Sequence, residues 1–195
     1  FSAGPPGPCG PNSEMFYWRG ETPPSGPYTR EDYLRDEAQG LWLEIWNDVF
    51  ISSEWQGELK DPSRPDKGYR KTGMPDLPFK SIDTGMGLER TAVVLSGFSS
   101  VYDTDSFLPI LNLLEFMGGG RFTYGEDDKV TRAMRIVSDH LRAAIFCIAD
   151  GILPGSSGRG YVLRRLLRRA ILQGTRTLGF TESFLAPLAP AILDG

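Results

Sequence analysis

Ser81-Ile-Asp-Thr-Gly-Met-Gly-Leu-Glu-Arg90 is the stretch that decides how this 195-residue chain is interpreted. It overlaps residues 79–82, with apolar Phe79 and Ile82 at their ends, which predict a short strand, and the acidic residue Asp83 comes directly after them. Gly85 and Gly87 carry no side chain, so a ligand can approach the backbone closely at both positions. The segment therefore predicts a ligand-binding turn between a strand and a helix.

The same segment opens a helix that we predict over residues 85–96, with Gly97 at its end. A helix N-terminus favours anions such as nucleotide phosphates, because its first N–H groups lack partners within the helix. Arg90 lies one turn into this helix, where its planar cation can stack on a base or pair with a phosphate. A Gly-Met-Gly turn alone is weak evidence, whereas Asp, two Gly, Glu and Arg in register over ten residues are much stronger evidence.

The composition limits the functional classes. Hydrophobic residues make up 40% of the chain, which is ordinary for a globular protein, and no run approaches the roughly 20 apolar residues of a membrane helix. No charged and then apolar leader is present, so we expect a cytoplasmic protein and no contact with a membrane. Because the chain begins at Phe1 rather than Met, we expect it to be a fragment of a longer protein.

Cysteine and histidine are scarce. Cys9 and Cys147 are the only cysteines, and His140 is the only histidine. Two distant cysteines make neither a disulfide framework nor a zinc site, so we expect free thiols in a reducing cytosol. His140 follows Asp139 in a predicted helix, and we expect it to have a structural role.

The charge is unevenly distributed along the chain. The net charge is −4, but five arginines and no acidic residue occur between Arg159 and Arg169. A helix predicted over 159–173, with Gly174 at its end, places Arg164, Arg165, Arg168 and Arg169 on one face. The opposite face, which we expect to be buried, carries Val162, Leu163, Leu166, Leu167, Ala170 and Ile171. Such a local basic face matters more for phosphate binding than the total charge.

The pattern of elements changes near residue 100. The apolar, aromatic-rich stretch 41–51 predicts a buried strand, and residues 54–78, with four prolines and three glycines, predict a loop insertion. Later residues predict helices over 105–117 and from Val130 to Gly151. Apolar residues three or four apart form one stripe on the second of these helices, at Met134, Val137, Leu141, Ile145 and Ile148. We therefore predict a mixed α/β part over 1–100 and an all-helical part over 101–195.

Four blocks of this sequence resemble the alanyl-tRNA synthetases, a family of class II aminoacyl-tRNA synthetases. The stretch 81–90 resembles the third signature of class II in the form that this family uses. The other blocks are Gly7-Pro-Cys-Gly-Pro-Asn-Ser-Glu14, Glu44-Ile-Trp-Asn-Asp-Val-Phe50, and the blocks between Met134 and Arg169. Their order and spacing are similar to those of the family over nearly the whole chain.

The resemblance implies an α+β fold, in which a class II antiparallel sheet with flanking helices precedes a helical domain. Residues 1–100 would be the C-terminal part of the aminoacylation domain, and 101–195 part of the tRNA-recognition domain. Such enzymes join alanine to ATP and pass it to the 3′ end of its tRNA. The first and second signatures would lie before Phe1 and the zinc-binding editing domain beyond Gly195, so the chain should not catalyse alone.

The resemblance also implies roles around alanine. Asp83 would hold the ammonium group; the alternative is that it caps a helix. Asn47 would recognise the amino-acid backbone, since its amide both donates and accepts; the alternative is a buried Asn that ties a loop to the sheet. Val49 would limit the pocket to a methyl side chain, or simply pack in the core. Phe1 aligns with a family tryptophan near the substrate, where an aromatic lid would lie.

ATP and magnesium are the implied cofactors. Gly85, beside alanine, and Gly87 would line the nucleotide site. Arg90 would stabilise negative charge while the alanine carboxylate attacks the α-phosphorus, so no protein nucleophile is needed. Glu44 would coordinate magnesium through ATP, or be a solvated or hydrogen-bonded carboxylate.

The acceptor stem of alanine tRNA is the implied macromolecular partner. Arg159, Arg164, Arg165, Arg168 and Arg169 would contact its phosphates, or pair internally with acids such as Asp139 and Asp150. The family usually carries an asparagine that reads a G·U pair in the turn before this helix, and here Ser156 stands at that position. Asn12 stands where a cysteine is common. Two other functions stay open: a paralogue that activates a small amino acid for another acceptor, and a non-catalytic RNA-binding module. The oligomeric state does not follow from the sequence.

Overall fold

The computed structural model describes residues 5–193, which divide into two compact units between Gly97 and Phe98. The first unit is a five-stranded antiparallel sheet with two helices. Its strands are β1 (Gly7–Cys9), β2 (Asn12–Trp18), β3 (Trp42–Leu59), β4 (Tyr69–Gly73) and β5 (Asp76–Met86), and its helices are α1 (Arg30–Ala38) and α2 (Leu88–Ser96). This α+β sheet with flanking helices confirms the predicted fold class.

The long strand β3 is the centre of the sheet, because all four other strands pair with it antiparallel. Its first half lies between β2 and β5, and its second half pairs with β1, β4 and the start of β5. The stretch 41–51 is predicted to be a buried strand. It forms the first half of β3, but of its residues only Val49 is buried, so the prediction of burial is wrong.

The prediction that residues 54–78 form a loop insertion is wrong. β3 continues to Leu59, and β4 returns antiparallel to it with Tyr69 opposite Leu59. From Glu54 to Leu59 every second residue is exposed, which is the two-residue period of a strand. Pro62 and Pro65 lie in the connection between the strands, so these prolines mark a turn rather than a whole loop.

The prediction that a helix begins at residue 85 is also wrong. β5 runs as far as Met86, and α2 begins only at Leu88 after Gly87. Gly97 ends α2 in the left-handed region, with φ of 68°, as its position in the sequence predicted. Residues 81–86 belong to the sheet because they pair with β3 in a continuous register, from Ser81 opposite Ile51 to Met86 opposite Trp46.

A buried carboxylate anchors α1 to the segment before it. Asp36 is 5% exposed and accepts hydrogen bonds from Arg35 Nε at 2.8 Å and from Tyr28 Oη at 2.7 Å. Arg35 first, and then Tyr28, lower the pKa of Asp36 below its ordinary value, because both stabilise the ionised carboxylate. A capping box between Thr29 and Asp32 begins this helix.

The second unit consists of helices: α3 (Leu108–Gly118), α4 (Asp128–Ala149), α5 (Gly158–Arg176) and the short α6 (Leu185–Leu188) and α7 (Pro190–Leu193). The predicted stripe on α4 is buried at Met134, Val137 and Leu141, whereas Ile148 is exposed. These buried residues pack with Leu111 and Leu114 of α3, and with Phe180 and Phe184, in one core.

The helix α5 differs from its prediction in two ways. It continues past Gly174 to Arg176. The glycine is explained by packing instead of by a helix end, because a Cβ at this position would lie 2.0 Å from Cζ of Phe184. Val162 and Ile171 were expected to be buried but are exposed. α5 packs mainly against α4, so only the narrow stripe that includes Leu163 and Ala170 is covered.

Three further observations concern residues 5–193. Cys9 and Cys147 are both free thiols. No helix in this range is long and apolar enough to cross a membrane. No group of three or more His, Cys, Asp or Glu side chains in the same range is placed to hold a metal ion.

Candidate functional site

The strand register brings four of the eight predicted site residues of the first unit to one face of the sheet. Asn47 lies opposite Gly85 and Val49 opposite Asp83, across the β3–β5 pair. Residues directly opposite each other in an antiparallel pair have their side chains on the same face. Across the β2–β3 pair, Glu14 lies opposite Asn47 and Asn12 opposite Val49. We call this set the site face: Asn12, Glu14, Asn47, Val49, Asp83 and Gly85.

The site face has the size of a small amino acid. Three neighbouring strands span about 10 Å, and two residues along a strand span about 7 Å. A Cβ on Gly85 would meet no atom within 4 Å, so the space above this residue is open. Gly85 lies in β5, and its φ is not positive, so its backbone conformation does not require glycine. Its role is therefore not to shape the turn before α2.

Glu14 orients the side chain of Asn47. Asn47 Nδ2 donates to Glu14 Oε1 at 2.9 Å, and Asn12 Nδ2 donates to the same oxygen at 2.9 Å. The amide nitrogen of Asn47 is thus engaged, and its carbonyl oxygen stays available as an acceptor. Asn47 therefore links two strands, not a loop to the sheet.

Asp83 lies in β5 as an exposed side chain, and within residues 5–193 its carboxylate has no hydrogen-bond or ion-pair partner. The alternative that it caps a helix is wrong, because Gly87 occupies the N-cap position of α2. An unpaired carboxylate next to an oriented amide oxygen can bind an ammonium group strongly. Val49, which pairs with Asp83, is only 5% exposed, so most of its surface is packed and little of it can face a ligand.

The opposite face of the sheet carries a separate network that holds β3 and β5 in register. Thr84 Oγ1 donates to Asp48 Oδ1 at 2.8 Å, and Trp46 Nε1 donates to Thr84 Oγ1. A shift of one residue would place Asp48 on the site face in place of Asn47. These three side chains therefore stabilise the β3–β5 pair on the face of the sheet opposite the site face.

The side chain of Arg90, in the first turn of α2, binds Glu44 of β3. Arg90 Nη1 donates to the backbone oxygen of Glu44 at 3.0 Å and lies 3.6 Å from Glu44 Oε2. Gly87 joins the two elements: its N–H donates to the oxygen of Ile45 at 2.9 Å, and a Cβ on it would be in ordinary van der Waals contact with the Arg90 side chain, at 3.4 Å. Glu44 is therefore a partly exposed, ion-paired carboxylate, and Arg90 keeps further N–H groups for a ligand.

Sequence reasoning missed two residues and proposed one that cannot be placed. The roles of Glu14 and Asp48 were not predicted, although Asn12 and Glu14 are two residues apart in a strand and so share a face. Phe1, proposed as an aromatic lid, lies outside the described residues.

The second unit carries a second candidate surface on α5. We call Arg159, Arg164, Arg165, Arg168 and Arg169 the arginine face. Within residues 5–193 none of these arginines forms an ion pair, so the alternative of internal pairing with Asp139 or Asp150 is not what the structure contains. Asp139 instead accepts a hydrogen bond from His140 Nδ1 at 2.9 Å.

The members of the arginine face differ in exposure. Arg159, Arg165, Arg168 and Arg169 are exposed, whereas Arg164 is half-buried with an enclosed Nε. The guanidinium of Arg164 lies 5.5 Å from the centre of the Tyr161 ring, which restrains it. Four of the five cations are therefore accessible to a polyanion.

Ser156 lies in the turn that leads into α5. The turn is tight, because Gly155 N donates to Gly160 O at 2.9 Å and a Cβ on Gly160 would lie 2.5 Å from the oxygen of Leu153. Ser156 is exposed, and its hydroxyl has no hydrogen-bond partner in the described part of the chain. The hydroxyl is therefore presented to solvent next to the N-terminus of α5.

Comparison with known proteins identifies the class. Residues 1–194 match the family model described as tRNA synthetases class II (A), and the chain belongs to this family. The resemblance found in the sequence is thereby confirmed.

The individual relatives are more specific. The chain is 42% identical, over its whole length, to the alanine–tRNA ligase of Anaeromyxobacter dehalogenans. It is 44% identical over 95% of its length to that of Lactobacillus acidophilus, and 42% identical over 95% to that of Lactococcus lactis. In each case it covers 20% of the relative, so it spans about a fifth of the length of these curated proteins.

Proposed function

We propose that the chain is the part of an alanine–tRNA ligase that binds alanine on the site face and the acceptor stem on the arginine face. Residues 1–100 would be the C-terminal part of the aminoacylation domain, and 101–195 part of the helical tRNA-recognition domain. The printed names of the relatives and the family match support this proposal.

The single observation that carries the proposal is the unpaired carboxylate of Asp83 beside the oriented amide of Asn47. The alanine ammonium would pair with Asp83 and donate to Asn47 Oδ1, while the open space above Gly85 takes the rest of the substrate. Val49 packs beside Asp83, and the small part of it that is exposed would limit the pocket to a methyl side chain. These residues hold alanine in place and so reduce the entropy cost of the reaction.

Activation of alanine requires charge stabilisation and no protein nucleophile. The alanine carboxylate attacks the α-phosphorus of ATP, and pyrophosphate leaves with its electron pair. Arg90 would pair with the phosphate oxygens through its remaining N–H groups, and Gly87 would allow the nucleotide close to the backbone. Glu44 offers one carboxylate, which suits a magnesium ion that takes its other ligands from ATP and water. Magnesium would neutralise charge on the phosphates.

The test compares two matched substitutions in the natural protein that contains this chain. Asp83→Asn should raise the KM for alanine about 10- to 100-fold in alanine-dependent pyrophosphate exchange, because a charge-assisted hydrogen bond contributes about 1.5–3 kcal/mol. Glu54→Gln is the control, since Glu54 is an exposed carboxylate of β3 that lies outside the site face. Equal alanine KM values for both variants would remove Asp83 from the substrate site.

A paralogue with another acceptor is the second candidate, and Ser156 is the observation that favours it. A serine hydroxyl has a shorter reach and fewer hydrogen-bonding groups than the asparagine amide usual in the family. Alanine transfer should be measured onto an alanine tRNA transcript with and without its G·U pair. Charging that depends on the pair supports the ligase, whereas pyrophosphate exchange without charging supports the paralogue.

The third candidate, a non-catalytic RNA-binding module, would use the arginine face alone. It would bind tRNA with a steep salt dependence, and neither Asp83 nor Asn47 would matter. The same pyrophosphate-exchange assay distinguishes it, because this module would give no alanine-dependent exchange.

A further inference from the structure

Two asparagines from neighbouring strands donate to the same carboxylate oxygen on the site face. Asn12 Nδ2 of β2 and Asn47 Nδ2 of β3 each lie 2.9 Å from Glu14 Oε1. Hydrogen bonds from amides to a carboxylate are charge-assisted, so they are stronger than those between neutral groups. Within residues 5–193 no cation pairs with Glu14, and these two amides are the partners of its charge. We call Asn12, Glu14 and Asn47 the amide network.

In the described part of the chain, Glu14 is the one side chain that directs the Asn47 amide. The neighbour of Asn47 on β2 is Glu14, and its neighbour on β5 is Gly85, which has no side chain. An asparagine amide can rotate by half a turn and so exchange its oxygen and its nitrogen. Because an ionised carboxylate only accepts hydrogen bonds, Glu14 holds the nitrogen of Asn47 on its own side and leaves Oδ1 for the substrate.

Asn12 holds Glu14 in the position that this arrangement requires. Glu14 is exposed, and an exposed glutamate has several accessible rotamers. Asn12 lies two residues earlier in β2, so its side chain is on the same face. Since Asn12 and Asn47 donate to the same oxygen, Asn12 favours the rotamer in which Oε1 reaches β3. Asn12 therefore acts on the substrate through two other side chains.

The direction of the Asn47 amide decides which group on the α-carbon of a substrate is bound. An ammonium group has three N–H donors and no acceptor, so it can donate to both Asp83 and Asn47 Oδ1. A hydroxyl group has a single donor, and once this donates to Asp83 its lone pairs face Asn47 Oδ1 without a hydrogen bond. In the reversed direction, Asn47 Nδ2 would donate to a hydroxyl oxygen and would find no acceptor on an ammonium group.

We propose that Asn12 is a positioning residue that makes the site face select an α-amino acid over the corresponding α-hydroxy acid. Asn12 fixes Glu14, Glu14 fixes Asn47, and Asn47 Oδ1 accepts a hydrogen bond from the substrate ammonium beside Asp83. This inference rests on the proposed function, in which alanine is the substrate. It extends that function to a residue that does not itself contact alanine.

The test measures alanine-dependent pyrophosphate exchange by the natural protein that contains this chain. Asn12→Ala should raise the KM for alanine about 3- to 10-fold, which is the effect of one hydrogen bond, and leave the KM for ATP unchanged. Asn12→Asp keeps the shape of the side chain but cannot donate to Glu14 when ionised, so its KM for alanine should rise at least as much. Ser13→Ala is the control and should keep both KM values, because Ser13 is exposed in the same strand and lies opposite Asp48 on the other face.

Two inhibitors separate positioning from a general loss of structure. L-Alaninol has the ammonium group and no carboxylate, whereas L-lactate has the carboxylate and a hydroxyl in place of the ammonium group. In Asn12→Ala, inhibition of exchange by L-alaninol should weaken about 3- to 10-fold, and inhibition by L-lactate should be no weaker than in the wild type. Equal weakening of both inhibitors would show that the site face is distorted and would overturn the inference.

A double-mutant cycle tests whether Asn12 acts through Glu14. The double variant Asn12→Ala, Glu14→Ala should have the same KM for alanine as Glu14→Ala alone, since the loss of Glu14 removes the acceptor of both amides. Independent effects of the two substitutions would overturn the inference. So would an unchanged KM for alanine in Asn12→Ala while Asp83→Asn raises it, and in that case the proposed function still stands. If the wild-type protein gives no alanine-dependent exchange, the proposed function and the inference both fail.

Discussion

Replacing three accessible cations of the arginine face should flatten the salt dependence of tRNA binding. Arg165, Arg168 and Arg169 are exposed, and none has an ion-pair partner within residues 5–193. Arg164 is left in place because it is half-buried, and Arg159 because it lies in the first turn of α5. Glutamine is the substitute, since it forms helices almost as readily as arginine and removes only the charge.

The size of the effect follows from counterion release. Each phosphate that a cation neutralises adds about 0.9 to the slope of log affinity against log salt, so three cations contribute about 2.7. Over a fourfold increase in salt, from about 50 to about 200 mM, that slope corresponds to about a 40-fold change in affinity. The wild-type protein should therefore lose about 40-fold more affinity over this range than the triple variant.

Fluorescence anisotropy with a labelled tRNA transcript at several KCl concentrations measures both slopes. The control variant replaces Lys80, Lys129 and Arg132, which are exposed and lie outside α5, so that its net charge changes equally. An unchanged slope in the α5 variant would refute the assignment of these arginines to phosphate contacts. Equal flattening in both variants would show that net charge alone controls the binding.

Three further predictions concern the sheet and the cores. Glu14→Ala should raise the KM for alanine several-fold and leave that for ATP unchanged, because Asn47 loses the acceptor that orients it; an unaltered alanine KM would make Glu14 purely structural. Gly174→Ala should lower the free energy of unfolding in urea by about 1–3 kcal/mol, since the added Cβ would overlap Phe184; a neutral result would mean that the ring moves aside. Asp36→Asn should reduce the acid sensitivity of stability. The lowered pKa of Asp36 stabilises the fold above the ordinary pKa of 3.8, and that stabilisation disappears as the pH falls through the folded-state pKa. Parallel unfolding profiles between about pH 3 and pH 7 would contradict this.

Patterns within one element were predicted well. The apolar stripe of α4 and the arginines of α5 follow from helical periodicity, because side chains three or four residues apart share a face whatever the rest of the chain does. The ends of the helices were predicted less well. Gly174 looked like a helix end, but a packed ring and not a turn explains this glycine.

Patterns that depend on a neighbouring strand were predicted poorly. Residues 54–59 carry glutamine, glycine and two glutamates, which indicate a loop when they are considered alone. They form a strand because β4 returns beside them and pairs with their backbone groups. A strand of this kind can carry polar residues, because one face of an antiparallel sheet can be exposed to water.

The sequence by itself determined the family, the α+β class and the cluster of arginines, because each of these depends on residue types in a short, continuous order. Only the tertiary structure decided which residues form the site face. Glu14, Asn47 and Asp83 lie in three different strands, and their proximity depends on the register of β2 and β5 against β3. Because side chains alternate between faces, a shift of one residue would move Asn47 to the opposite face, and no local pattern encodes that register.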